Sequence, residues 1–138
     1  MRARFSGAVA LAVAGVLTMS CSGVIDPSKN QVETFSDTVT KGGISAGFAF
    51  TAARSGEFTV KITALAPASS VFMGVLYTQA ASDGSCSGNL QPLQQNNFAL
   101  LNGPGLSGQI FSGRYCVFVF DVGALTATAT FTATVSHP

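Results

Sequence analysis

Apolar and polar residues alternate with a period of two along most of the chain after residue 30. In GEFTVKITA (residues 56–64), Phe58, Val60, Ile62 and Ala64 fall on one side and Glu57, Thr59, Lys61 and Thr63 on the other. Successive side chains of a strand point to opposite faces, so this spacing predicts a half-buried strand. SAGFAFTA (45–52) places Ala46, Phe48, Phe50 and Ala52 on one face, and Arg54-Ser55-Gly56 after it predicts a hairpin turn. ALTATATFTATV (124–135) alternates throughout: Leu125, Ala127, Ala129, Phe131, Ala133 and Val135 are expected inward, and Thr126, Thr128, Thr130, Thr132 and Thr134 outward. VFMGVLYT (71–78) and RYCVFVFDV (114–122) are apolar at both parities, which suits central strands. Shorter segments at 32–39, 96–101 and 106–111 complete a set of seven or eight strands. No long window has helical spacing. The pattern predicts an all-β fold, an antiparallel β-sandwich over residues 31–138, with enough chain for one core.

The concentrated apolar block lies before this domain. Arg2 and Arg4 precede FSGAVALAVAGVLTM, a positive n-region followed by an apolar h-region too short for a spanning helix with ordinary flanks. Leu17-Thr18-Met19-Ser20-Cys21 resembles a bacterial lipobox. That resemblance implies a signal peptide over residues 1–20, cleavage before Cys21, and lipid on the sulfur and new N-terminus of Cys21. The expected product is a lipoprotein of the bacterial cell envelope whose partner is the membrane, reached through the lipid. Ser22 rather than Asp after the cysteine favours the outer membrane, by resemblance to enterobacterial lipoproteins. The alternative is a secreted protein with an ordinary cleavage region. Residues 21–30 read as a short tether, with small and polar residues and no periodicity.

Removing the leader changes the charge. Residues 21–138 keep Lys29, Lys41, Arg54, Lys61 and Arg114 against Asp26, Glu33, Asp37, Glu57, Asp83 and Asp121. No basic patch remains, so the chain has no electrostatic footprint for nucleic acid. Three cysteines in an exported chain leave one unmatched; with Cys21 lipidated, Cys86 and Cys116 are expected to form a disulfide. Two cysteines and the single histidine, His137, match no zinc-ligand spacing.

The run FSDTV, GFAFTA, GEFTVKITAL, VFMGVLY and GRYCVFVFD resembles, in strand order and in its Gly-x-Tyr-to-Asp pattern at residues 113–121, the bacterial pre-peptidase C-terminal domain. The resemblance spans roughly residues 31–135 and implies a small sandwich of jelly-roll type. It is a resemblance of fold. Some members and relatives bind calcium, or collagen-like and polysaccharide targets, but this sequence has no matching acidic cluster to carry that over.

Two loops carry candidate ligand groups. In residues 82–89, Asp83, Ser85 and Asn89 offer oxygens, with calcium as the one cofactor candidate; against it, a single carboxylate is thin supply, and a turn-rich loop pinned by Cys86 explains the same residues. The loop at 102–108, beginning with Asn102, satisfies G-x-G-x-x-G at residues 103–108, but a strand-like segment follows where dinucleotide binding needs a helix. The outward threonines invite comparison with ice-binding surfaces, which need ranks on several neighbouring strands; the sequence shows such a run on one strand. His137 is expected at a loose terminus, which leaves Ser-His-Asp chemistry without its base. Asp121, ending an apolar strand, is expected to cap a turn. With no Trp, and with Tyr77 and Tyr115 in central strands, sugar stacking would fall to Phe residues or polar loops. The expectation is a non-enzymatic envelope module that binds or scaffolds a partner; the alternative is a glycan- or matrix-binding lectin-like domain.

Overall fold

The computed structural model describes residues 26–67, 69–87 and 90–138. Cys21 and the leader lie outside the described residues, as does Asn89. A short 3-10 turn, Pro27–Lys29, precedes eight strands: β1 (Gln31–Val39), β2 (Phe48–Ala52), β3 (Gly56–Ala66), β4 (Met73–Gln79), β5 (Gln94–Ala99), β6 (Leu106–Ile110), β7 (Gly113–Asp121) and β8 (Ala129–His137). They form two four-stranded sheets, ordered β1-β8-β3-β6 and β2-β7-β4-β5, with every pairing antiparallel. The first strand pairs with the last, the second with the seventh, the third with the sixth and the fourth with the fifth. The chain is thus one long hairpin folded back at the β4–β5 connection, with successive pairs assigned alternately to the two sheets. This is the jelly-roll arrangement, an antiparallel β-sandwich of eight strands.

The core fills the space between the sheets. Phe58, Val60 and Ile62 of β3 and Phe131, Ala133 and Val135 of β8 meet Phe50, Val75, Val117 and Val119 of the opposite sheet. Each fully buried Val, Ile or Phe contributes about 1.5–3 kcal/mol of transfer free energy. The two open sides are tied by polar side chains. On one, Asn96 Nδ2 donates to the Gly105 carbonyl (2.6 Å) and Gln94 Nε2 to that of Ser107 (3.2 Å), so β5 reaches across to β6. On the other, Asp37 Oδ2 accepts the Ala46 amide (2.8 Å), and Phe35 stacks on Phe48 with centroids 4.5 Å apart.

Three expectations are corrected. Ala64 is exposed, because the register of β3 against β8 shifts between Ile62 and Ala64; Leu65 takes the inward place. This bulge reverses side-chain parity for the rest of the strand. The last strand begins at Ala129 rather than near residue 124; Leu125 is buried, but Ala127 is exposed in the turn before the strand. At its far end β8 runs on to His137, which pairs with Gln31 and is 1% exposed. His137 is therefore a core residue and not part of a loose tail. In the segment expected as tether, Asn30 is bonded to the domain, while residues 26–29 form an exposed turn closed by its own hydrogen bonds. Asp26 Oδ1 accepts the Ser28 amide (3.1 Å) to cap the turn, and Asn30 Nδ2 donates to the Glu57 carbonyl (2.8 Å).

Candidate functional site

The outer face of the β2-β7-β4-β5 sheet explains why β4 and β7 are apolar at both parities. Its outward residues Leu76, Cys116 and Phe118 are buried beneath the connection that leaves β4. The Cys86–Cys116 disulfide, with Cα atoms 5.6 Å apart, pins this loop to the middle of β7. Arg114 adds a hydrogen bond from its guanidinium to the Ser82 carbonyl (2.8 Å), and the Ala80 amide donates to the Arg114 carbonyl (3.0 Å). Gly47 lies under the bridge; a Cβ there would stand 2.3 Å from Cys86 Cβ and 2.7 Å from the Phe118 ring.

Past the loop, the same face is uncovered. The Phe120 ring lies over Gly74, where a Cβ would be 2.2 Å away. Beside it Phe72 and Phe98 meet edge to face at 5.9 Å, exposed by 44% and 73%. Ile44, bridged to Phe120, and Val122 extend the strip, and both are exposed. Gln95 and Asn97 place amides along its margin, joined by a 2.7 Å hydrogen bond. The strip is an apolar surface carried by Phe98 of β5, Phe120 of β7 and the adjoining loop residues Ile44, Phe72 and Val122, with polar groups at its edge. Its sequence signal was the unbroken apolar parity of β4 and β7, together with an outward Phe98 in an otherwise Gln/Asn-rich strand.

The loop residues expected to bind a ligand are engaged locally. Asp83 Oδ1 accepts the Ser85 amide (2.8 Å), which holds the Asp83 carboxyl below its ordinary value, and Ser85 Oγ pairs with Ser87 Oγ (2.6 Å). Asn102 adopts the left-handed conformation (φ 61°) inside a turn closed by the Gly103 amide on the Leu100 carbonyl (3.0 Å). Its own amide donates to Ile62 of β3 (2.7 Å). Among the described residues these two loops are attached to different sheets and are not joined into one site. Residues 103–105 lead into β6, a strand, so the glycine-rich segment has no helix behind it. Among the described residues no three His, Cys, Asp or Glu side chains gather to hold a metal.

The chemistry-bearing side chains inside the fold serve the fold. Asp121 Oδ1 accepts the amides of Gly123, Ala124 and Leu125 (2.9, 2.9 and 3.0 Å), and Oδ2 accepts that of Gly42 (2.8 Å). Burial pushes its carboxyl upward, but the amides of Gly42, Leu125, Ala124 and Gly123 outweigh it and the net shift is downward. The turn-capping role expected for Asp121 is what the structure contains. His137 Nε2 lies 2.8 Å from Glu33 Oε1, and its ring packs 5.0 Å from Phe50. His137 Nδ1 is buried with no hydrogen-bond partner among the described residues. The parity of β8 carried the signal for this burial: with Val135 inward and Ser136 outward, His137 turns inward again.

The opposite outer face corrects the single-rank reading of the threonines. Across β8, Thr34, Ser36 and Thr38 of β1 stand level with Thr134, Thr132 and Thr130. On the other side β3 contributes Lys61, Ala64 and Ala66 to those ranks. Hydroxyls therefore occupy two neighbouring strands, and Ser36 Oγ and Thr132 Oγ1 bond to each other at 2.8 Å. Ala64 and Ala66 leave a shallow open depression beside them, lined also by Ser36, Thr38 and Thr130. Lys61 and the bulge interrupt the array on the third strand.

No protein-family model and no curated protein matches this chain. Among the described residues, no helix is long and apolar enough to cross a membrane.

Proposed function

We propose that this chain is a lipid-anchored, non-enzymatic module of the bacterial cell envelope, held at the outer membrane through Cys21, that binds or scaffolds another envelope protein. The anchor reading draws on the lipobox-like Leu17–Cys21 segment and on cysteine use: Cys86 and Cys116 are paired, which leaves Cys21 as the remaining thiol of the three. The eight-strand jelly roll supports the resemblance to the pre-peptidase C-terminal domain.

The observation that carries the binding role is the uncovered aromatic strip, centred on Phe98 and Phe72. Exposed aromatic rings on a rigid surface are the usual anchors of protein interfaces, and a contiguous exposed apolar patch marks such a surface. The test is affinity capture from native envelopes with the wild-type chain and a Phe72→Ser, Phe98→Ser variant. The expected result is a stoichiometric partner retained by the wild type and lost by the variant. Equal capture by both would remove the strip from the function.

A second reading, glycan or matrix binding, is favoured by the Gln95 and Asn97 amides beside the rings, since sugar faces stack on aromatics while amides take the hydroxyls. Retention on polysaccharide resin, abolished by the same variant, would select this reading over a protein partner.

A further inference from the structure

We propose that the end of the sandwich where the N-terminal segment enters rests directly on the lipid bilayer, with Phe111 as the residue that enters it and Leu93 beside the interface. The inference rests on the anchor reading above and adds to it a defined orientation.

The strand registers locate this end. Gln31 is level with His137; one step on, Ser136 pairs with Thr59, which puts Phe58 and its partner Gly108 on the same rank as Gln31. Phe111 follows Ile110 and lies three residues beyond Gly108, so it projects about 10 Å past that rank at the rise of a strand. The turn that carries Phe111 is held by Tyr115, whose hydroxyl donates to the Phe111 carbonyl (3.0 Å). Leu93 sits at the same end, its amide donating to Tyr77 (2.9 Å) just before β5. The two side chains are 76% and 56% exposed.

The N-terminal segment leaves from this end too. Asn30 is bonded to the Glu57 carbonyl, and the turn behind it, closed by its own hydrogen bonds, runs back to Asp26. Five residue steps separate Asp26 from Cys21, which is at most about 18 Å of chain. A lipid on Cys21 would thus hold this end, where Phe111 is exposed, against the bilayer surface. Charge at this end is balanced: Lys29, Arg54 and Arg114 stand against Asp26, Glu57 and Asp83. The contact is therefore apolar, of the kind that buries side chains a few ångströms into the headgroup boundary, and it needs no anionic lipid. The aromatic strip lies toward the other end, near Met73 and Asp121, so this orientation turns it away from the membrane.

The chain contains no Trp, so one substitution gives a unique reporter. Phe111→Trp and Phe98→Trp forms of the full chain would be produced in the envelope, purified from membranes and reconstituted in phosphatidylcholine vesicles with brominated acyl chains. Phe111→Trp is expected to be quenched several-fold more than Phe98→Trp and to emit further to the blue, equally with and without phosphatidylglycerol. Equal, water-like emission from both would overturn the proposal, as would quenching that requires the anionic lipid. The intact mass of the same samples separates the two readings. Acyl chains with an unquenched Phe111→Trp would sink the orientation and leave the anchor. A mass without lipid would remove the anchor reading; coupling the Cys21 thiol to a maleimide lipid then lets the same quenching decide the contact, because Cys86 and Cys116 are paired.

Discussion

Replacing Asp121 by Asn tests whether one carboxylate closes the end of the jelly roll at which β1 and β7 finish. The carboxylate joins the turn after β7, through three amides on Oδ1, to the loop after β1, through the Gly42 amide on Oδ2. Asparagine has the same shape but one acceptor oxygen. Whichever way its amide is turned, an NH2 group faces a backbone N–H that had been satisfied. Losing a charge-assisted hydrogen bond costs about 1.5–3 kcal/mol, and the bonds that remain become neutral and weaker. The sum is about 3 kcal/mol, a large part of the roughly 5–15 kcal/mol of a typical domain. With an m-value of ~1.5 kcal/mol/M, urea unfolding at pH 7 should show the midpoint fall by about 2 M. The pH dependence gives a second reading of the same group. Its carboxyl lies below its ordinary value in the folded state, because the amides of Gly42, Leu125, Ala124 and Gly123 overcome the upward push of burial. A group depressed on folding contributes in full above its unfolded value, about 3.9 for Asp, and loses that contribution as pH falls through the folded value. The gap between wild type and Asp121→Asn should therefore be constant from pH 7 to about 5 and close in stronger acid. A gap below about 1 kcal/mol at pH 7, or one that persists unchanged at pH ~2, would refute the account.

Other perturbations address the remaining parts of the fold. Replacing Cys86 and Cys116 together by Ala opens a loop of 30 residues' separation, and should cost about 3.5 kcal/mol on the chain-entropy model, read as a lowered guanidinium midpoint; a loss below ~1 kcal/mol would show that the loop is held by its other contacts. His137→Ala removes a buried ring between Phe50 and Glu33 and is expected to destabilise by roughly 2–4 kcal/mol in the same assay, where a loose C-terminus would give no change. Gly74→Ala drives a methyl into the Phe120 ring and should lower stability by about 1–3 kcal/mol; adding Phe120→Ala should recover part of the loss if the clash is the cause.

The sequence alone determined that this is an all-β sandwich, because period-two alternation reports directly which residues share a face of a strand. It also pointed to the pairing of Cys86 with Cys116, on the expectation that Cys21 belongs to a lipobox-like segment, and to the capping role of Asp121 at the end of an apolar strand. Tertiary structure decided what depends on neighbours. Parity fails at the β3 bulge, which only the register against β8 reveals, and so Ala64 is exposed while Leu65 is buried. His137 looked like a tail residue because burial there depends on β1, more than 100 positions away along the chain, pairing across it. The hydroxyl ranks exist because β1 lies beside β8, an adjacency that neither strand's own sequence records. The outward parity of β7 also divides in space: Cys116 and Phe118 lie under the disulfide loop, while Phe120 forms part of an uncovered aromatic strip. Strand patterns specify which way side chains point; which surface then covers them is settled only when the doubled hairpin wraps into two sheets.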